Sequence, residues 1–422
     1  MPDKSTTKPL SKYCDANMQS LGRETPTEFR FRYIDLSSVN QGKIEWQKTR
    51  ALTYADSPSR ARRVVKPGDV LFSTVRPGLM GHGMVREPSE LPLIASTGFA
   101  VLSPKEGADG RFLFHSFFLD EFKRQVAQFE VGSNYPAINE SDLRRVRLGE
   151  VDGPSQTLIA DILDAIDDAT LETEAVIEKL RTVHIGLIDD LLTCGLSGDG
   201  SPRELYSLTE TEVGPRPASW KVANLGRFVV GAEYGTNLSL SDSSAGIPVL
   251  RMNNIQDGEF DLSDLKYAPA HAVDRFRLQR NDVLFNRTNS WEHVGKAAIW
   301  RRDEPGPAFA SYLVRLHCGD ALLPEFLHLW LNWAPVQRAI RQFATPGVQQ
   351  VNINPTNLRR ALIAVPDTLD EQQAIIERVN GVAAAIEDHR RERTKLSSLR
   401  EGLRDDLLTG RKPVMAIREA AE

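Results

Sequence analysis

The sequence predicts an α+β molecule: two tandem-duplicated globular α/β domains separated by two long antiparallel coiled-coil helices, with pseudo-twofold symmetry. Three observations predict it. Residues 370–409 contain no proline and two glycines, and their apolar residues return every three or four positions, the period of a long amphipathic helix. Residues 155–195 have the same character, and the pentapeptide DDLLT at 189–193 recurs at 405–409, 216 positions later. Between and before these stretches, short β-like landmarks also recur in one order at offsets of 213–216, the mark of an internal duplication.

Taken in order, residues 1–24 form a polar lead-in. Short strand-like runs follow in FRFRYIDL, KPGDVLFSTV and LPLIASTGFAVLSP, separated by turn signals at 40–42, 67–69 and 77–78. A helical stretch covers 110–129 and leads through SNYPAINESDLRRVRLGEV into the first long helix. After Gly195 comes LSGDGSPREL, a linker composition. The pattern then restarts. Gly258 stands 216 after Gly42, Asp282–Phe285 (DVLF) repeats Asp69–Phe72 at 213, and Ile353-Asn354 repeats Ile138-Asn139 at 215. The expected boundaries are a first domain at 1–150, a first long helix at 151–200, a second domain at 201–366, a second long helix at 367–412 and a tail at 413–422. The helices would bury Leu163, Ile166, Leu180, Val183, Leu187 and Leu191 against Val379, Val382, Leu396, Leu399, Leu403 and Leu407. A helix of about 39 residues would be roughly 58 Å long, and one that long needs a partner for its apolar seam.

Composition narrows the function. No apolar run is long enough to span a bilayer, and the N-terminus lacks the apolar segment of a secretory signal. Cys14, Cys194 and Cys318 lie far apart without a CxxC pair, so a disulfide framework is not expected and a reducing cytoplasm fits. The eight histidines form no HxxxH or HxH pair, and no metal site is expected. Net charge is −5, yet the acid is concentrated in residues 151–205, which hold 12 acidic against 3 basic residues. Residues 1–150 are mildly basic, with 22 Lys and Arg against 18 Asp and Glu. That balance permits a polyanionic partner. No GxxxxGK[ST] stands anywhere, no Asn/Asp-Pro-Pro-aromatic run appears, and Gly78, Gly81 and Gly83 do not make GxGxxG. No catalysis by this chain itself is expected.

Several further motifs carry a resemblance. They are Tyr234-Gly-Thr236, GIPVLR at 246–251 with NIQDG at 254–258, DVLF at 282–285, Ile353-Asn354, PDTLDEQQA at 366–374 and LRDDLLTG at 403–410. In order, duplication and spacing the chain resembles the specificity subunit of type I restriction–modification systems over nearly its whole length. The resemblance implies two target-recognition domains, each gripping one half of a split double-stranded DNA site. The long helices would act as spacer and as dock for two methyltransferase (modification) subunits, with restriction/translocase subunits joining the complex. S-adenosylmethionine, ATP and Mg would reside on those partners, with no cofactor on this chain and no membrane association.

The scaffold landmarks recur while the loops between them diverge: Ser73–Gly83 faces Asn286–Lys296 with almost no identity. Two copies of one scaffold with different loops suit two different targets. Base readout calls for Arg toward guanine, Asn or Gln toward adenine, and aromatic or methyl contacts toward thymine. The first half offers Arg60, Arg62, Arg63, Arg76, His82, Asn134 and Tyr135 as DNA-binding candidates. The second offers Tyr234, Arg251, Asn253, Asn286, Arg287, Asn289, Trp291, His293, Lys296, Gln349 and Gln350. Taken singly, each is first a solvated loop residue; taken together, the divergent loops hold the reading surface. Asn139 and Asn354, being repeated, are expected to cap or close a turn before a short helix. A duplicated-domain scaffold binding protein or RNA, or an enzyme with an unrecognised active site, are the competing readings.

Overall fold

In the computed structural model, which describes residues 7–347 and 350–414, the chain divides into two compact units. Unit 1 comprises Met1–Ala175 with Arg390–Glu422, and unit 2 comprises Val176–His389. The long helices run over Gly153–Cys194 and Leu369–Leu408, so each unit holds a mixed α/β lobe and one half of each helix.

Unit 1 is built on two four-stranded sheets. One orders Cys14–Ala16, Phe99–Pro104, Val70–Ser73 and Gly83–Met84; the other orders Arg50–Thr53, Arg30–Ile34, Leu93–Ser96 and Ala61–Val65. Unit 2 repeats the first of these as Val229–Tyr234, Leu313–Cys318, Val283–Asn286 and Ala297–Ile299. The register repeats as well: Ala100 faces Phe72, and Val314 faces Phe285. The second sheet recurs with three strands, Lys266–Ala268, Ile247–Leu250 and Ala308–Phe309. It keeps the parallel pairing of Ile94 with Tyr33 as that of Ala308 with Val249. The strand Ala61–Val65 has no sheet counterpart among the described residues of unit 2, where residues 274–276 form a 3-10 turn.

Each lobe packs its central strand against a helix pair. In unit 1, Phe72 is fully buried and meets Phe117 edge-on at 5.2 Å and Phe122 at 5.9 Å. In unit 2, Phe285 lies in one core with Phe326 and Trp330. The aspartate that opens each repeated DVLF closes the turn before its strand. Asp69 accepts from the Lys66 N–H and the Ser103 hydroxyl at 2.8 and 2.7 Å. Asp282 accepts from the Gln279 N–H and Arg315 Nη1 at 2.8 and 2.6 Å. Gly42 and Gly258 both sit at positive φ, +90° and +83°. A Cβ on Gly42 would come 3.0 Å from the Phe114 ring, so the turn needs glycine for conformation and for space.

The helices begin and end alike. Asp152 accepts from the Ser155 N–H at 2.9 Å and Thr368 Oγ1 from the Glu371 N–H at 3.2 Å, satisfying first-turn donors. Gly195 and Gly410, at φ +62° and +72°, terminate them in the left-handed conformation. Within each unit the two halves run antiparallel. In unit 1, Leu163 near the start of one helix shares a core with Leu403 and Leu407 near the end of the other. In unit 2, Leu187 and Leu191 near the end share a core with Ile375, Ile376 and Val379 near the start.

The seam corrects two sequence expectations. Val183 and Leu399 are 49% and 51% exposed, so neither is a packing residue. The observed seam steps by three and four through Ile177, Leu180, His184, Leu187 and Leu191, which leaves Val183 one position off. In unit 1, Leu396, Arg400, Leu403 and Leu407 of the second helix keep the same step and leave Leu399 off. His184 is half-buried, which lowers its pKa, and it bonds the Val379 backbone. Arg400 reaches Asp167, one of its two bonds being 3.1 Å. Polar seam residues of this kind fix register at some cost in stability. Ile166, Val379 and Leu191 are buried, and Leu180, Val382 and Leu396 are partly so.

Candidate nucleic-acid interface

Each unit folds its divergent segments into a small three-stranded ribbon. In unit 1 the backbone at Val75 bridges Ala137, which also bridges Val131, and the Arg76 N–H donates to the Pro136 carbonyl at 2.7 Å. In unit 2 Thr288 pairs with Asn352, which also pairs with Thr345. These positions differ by 213, 215 and 214, so the two ribbons are copies. The side chains differ, and so does the backbone at Arg76, left-handed where the matching Asn289 lies in a strand.

The ribbon of unit 1 gathers three of the sequence candidates. The Arg76 guanidinium lies 4.2 Å from the centroid of Tyr135, and its Nη2 donates to the Asn134 carbonyl at 3.3 Å. Tyr135 is 69% exposed. Leu79 and Val131, which sequence reasoning missed, stand equally exposed beside these loops. Their signal was available only as large apolar residues inside turn-rich segments. Arg60, Arg62 and Arg63 occupy another place, on and just before the edge strand Ala61–Val65. Arg60 bonds Tyr33 and Asp35, Arg62 lies over Tyr54, and Arg63 donates to Ser20.

In unit 2, Asn286, Asn289 and Gln350 converge on Met252. The Asn286 and Asn289 amides point to its carbonyl at 2.9 and 3.4 Å, and Gln350 Nε2 to its sulfur at 3.7 Å. Arg287 lies over the half-exposed Tyr234 ring at 5.1 Å and donates to the Ser311 carbonyl. Arg251 and Asn253 both reach Asp264, and Lys296 lies 3.9 Å from Asp257. Trp291 and His293 are exposed in the turn after the ribbon. Tyr312, 45% exposed and also missed, flanks Arg287, whose N–H bonds its carbonyl. Gln349 lies outside the described residues.

Two candidates are not at any surface. His82 is 2% exposed, stacks on Phe72 at 4.2 Å and accepts the Ser73 N–H on Nδ1 at 3.1 Å. Burial lowers its pKa to about 3, so it is a neutral framework ring and no base reader. Asn286 is fully buried, turned inward at the end of its strand to hold the 252 carbonyl. Its loop position suggested a reader because the sequence does not show which way the last strand residue points.

One cluster has metal-like composition. His115, Asp164 and Asp167 bring ligand atoms within 4.8 Å of one another. Asp164, however, takes two bonds from Arg86 at 2.7 and 2.8 Å and one from His115 at 2.9 Å, while Arg400 pairs with Asp167. Burial alone would raise the Asp164 pKa, but the Arg86 and His115 hydrogen bonds hold it below the ordinary carboxylate range. With its acids already matched by arginines, the cluster acts as an ion network that fastens the lobe to its helix segment.

A family model, the type I restriction modification DNA specificity domain, matches residues 40–181, from the first lobe into the first long helix. A putative type I restriction enzyme MjaX specificity subunit from Methanocaldococcus jannaschii is 26% identical over 207 residues, 47% of this chain and 48% of that one. The EcoKI specificity subunit of Escherichia coli is 21% identical over 300 residues, covering 70% of this chain and 63% of that one. In sequence the chain is similar to type I specificity subunits. Its alignments span about half the length of the first of these relatives and under two thirds of the second. The fold is similar to that of a chain in a solved structure on complex assembly and conformational transition of the type I R-M system. That likeness has a TM-score of 0.60 and 21% identity, covering 97% of this chain and 99% of the other. It is also similar to a type I S subunit from M. genitalium, with a TM-score of 0.56, 11% identity and 96% of each chain covered. Among the described residues no helix is long and apolar enough to cross a membrane.

Proposed function

We propose that this chain is the DNA-reading subunit of a type I restriction–modification complex. Residues 1–150 and 201–366 are its two target-recognition domains, each reading one half of a bipartite duplex site. The chain directs adenine methylation and restriction by partners and catalyses nothing alone. Two methyltransferase subunits and restriction/translocase subunits are those partners, and S-adenosylmethionine, ATP and Mg bind to them. The complex works in the cytoplasm.

One observation carries this reading: a single ribbon occurs twice on one framework with different exposed side chains. Side chains able to donate in pairs, with exposed aromatic and apolar neighbours, are what base edges in the major groove require. Unpaired basic groups nearby would hold phosphate and set the register.

The experiment is methylome sequencing of a host carrying the intact gene, the gene deleted, and a chimera. The chimera replaces residues 29–150 with the first domain of another specificity subunit. Deletion removes one bipartite methylated motif, and the chimera changes one half of it. A methylome unaffected by deletion, or a chimera that changes both halves, refutes the proposal.

A further inference from the structure

Arg76 is an exposed cation that the structure holds in a presenting pose. Its backbone adopts φ +48°, a left-handed conformation that a non-glycine residue keeps only where its surroundings fix it. Here the fixing contacts are the Arg76 N–H to the Pro136 carbonyl at 2.7 Å and the Val75–Ala137 bridge beside it. The guanidinium rests on the Tyr135 ring, and one Nη is tied to the Asn134 carbonyl. No carboxylate pairs with it among the described residues. Elsewhere in unit 1 the exposed Arg60 and Arg86 each bond an aspartate.

We infer that Arg76 selects a guanine in the half-site read by unit 1. This rests on the DNA-reading function proposed above and adds the base and the residue. Guanine shows two acceptors, N7 and O6, on its major-groove edge, and a planar guanidinium meets both at once. Stacking on Tyr135 sets the plane of that fork before DNA arrives, so less freedom is lost on contact. Unit 2 supplies the internal control. The positions matching Arg76 and Tyr135 are Asn289 and Gln350, two amides turned toward Met252. Amides suit adenine, so the second ribbon makes no guanine contact of this kind.

The test uses the full chain co-expressed with its modification subunits, with methylated sites read genome-wide for wild type, Arg76→Ala, Arg76→Lys and Asn289→Ala. Wild type yields a bipartite motif with a fixed guanine in one half. Arg76→Ala and Arg76→Lys relax that position at least fivefold, as loss of a bidentate pair requires, and leave the other half intact. Lysine keeps the charge but lacks the fork, which separates base reading from phosphate attraction. Asn289→Ala leaves the guanine fixed. A second measurement does not depend on how the variants fold: the wild-type complex binds a duplex with 7-deazaguanine at that position at least fivefold more weakly than the normal duplex. A wild-type motif whose guanine survives Arg76→Lys, or binding indifferent to 7-deazaguanine, overturns the inference and leaves the proposed function standing. A wild type that methylates no bipartite motif overturns both.

Discussion

The two ribbons share a pairing pattern and almost no exposed chemistry, whereas the two central strands share both pairing and sequence. Val70–Ser73 and Val283–Asn286 keep Val, Leu and Phe in the same register against the same neighbouring strand. Arg76 and Tyr135, in contrast, face Asn289 and Gln350 at matched ribbon positions. Burial explains the difference. A fully buried side chain is constrained by close-packed neighbours on every side, while a ribbon tip is constrained only by its backbone bonds. A duplicated chain can therefore diversify its tips at little cost to folding.

The deepest matched pair offers the hardest test of that equivalence. Phe72→Ala and Phe285→Ala each remove a fully buried ring, and each is expected to destabilise its own unit by about 3–5 kcal/mol. Hydrogen exchange, read unit by unit, checks this. Protection should fall in the strands flanking the substitution, and similar losses in the two units would confirm that the cores are copies. A loss of under about 1 kcal/mol in one unit would break the comparison.

Acid separates the units. His82 in unit 1 and His328 in unit 2 are both buried, with pKa values lowered to about 3 and about 4. Both fold neutral while the unfolded chain binds protons near pH 6.5, so stability falls as pH drops below that value. Each histidine contributes up to about 1.4 kcal/mol per pH unit, until its folded pKa is reached. Asp164 adds a loss to unit 1 alone, because its folded pKa is depressed. That contribution is present above about pH 4 and disappears as pH falls below it. The residue 216 positions on is Asn380, which cannot titrate. Unit-resolved unfolding from pH 7 to 3 should show parallel losses down to about pH 4 and a steeper decline in unit 1 below it. Asp164→Asn should lessen the extra decline and leave the part due to His82, whose folded pKa is the lower of the two histidines; equal slopes in the wild type would sink the argument.

Much of this architecture was legible in the sequence, because long helices and repeated strands leave periodic and offset signals. The seam leucines, the matched DVLF strands and the Gly42/Gly258 turns all announced themselves. Side-chain direction at element ends did not. His82 and Asn286 lie in the most divergent loops, yet both turn inward, for burial is decided by tertiary neighbours that a local pattern omits. Val183 and Leu399 were misread for a similar reason: the seam accepted His184 and Arg400, which no apolar count would select. The ribbons' exposed partners, Leu79, Val131 and Tyr312, were missed because apolar residues are ordinarily assigned to cores.

Gln156 and Gln372 were also missed, although they stand 216 apart in the first turn of each helix. Both are buried, and each binds the loop entering its lobe's helix pair. Gln156 Oε1 accepts the Asp109 N–H at 3.1 Å, and Gln372 Oε1 accepts the Leu323 N–H at 2.9 Å. Replacing either with alanine strands a backbone donor and should cost about 1–3 kcal/mol. Each amide also donates, Gln156 to the Val151 carbonyl at 2.7 Å and Gln372 to the Ala321 carbonyl at 3.0 Å, so the two losses should be similar. Denaturant melts of the two variants would compare them, and clearly unequal losses would show that the helix–lobe joints are not copies.

The smallest expected effect is the most discriminating, since it concerns one dipeptide in two places. Ile138-Asn139 and Ile353-Asn354 both precede a short helix, and sequence alone assigns both asparagines the same capping work. Asn354 does cap: its Oδ1 accepts the Thr356 N–H at 2.8 Å, with Pro355 at the first helical position. Asn139 makes no such bond. Its helix opens instead with Glu140, whose carboxylate is taken by the Asn17 amide. Asn354→Ala should therefore cost about 1 kcal/mol, while Asn139→Ala should cost less than half of that. Matched thermal melts decide between them. If the two losses are equal, the twin turns are equivalent after all, and divergence between the units is confined to their ribbons.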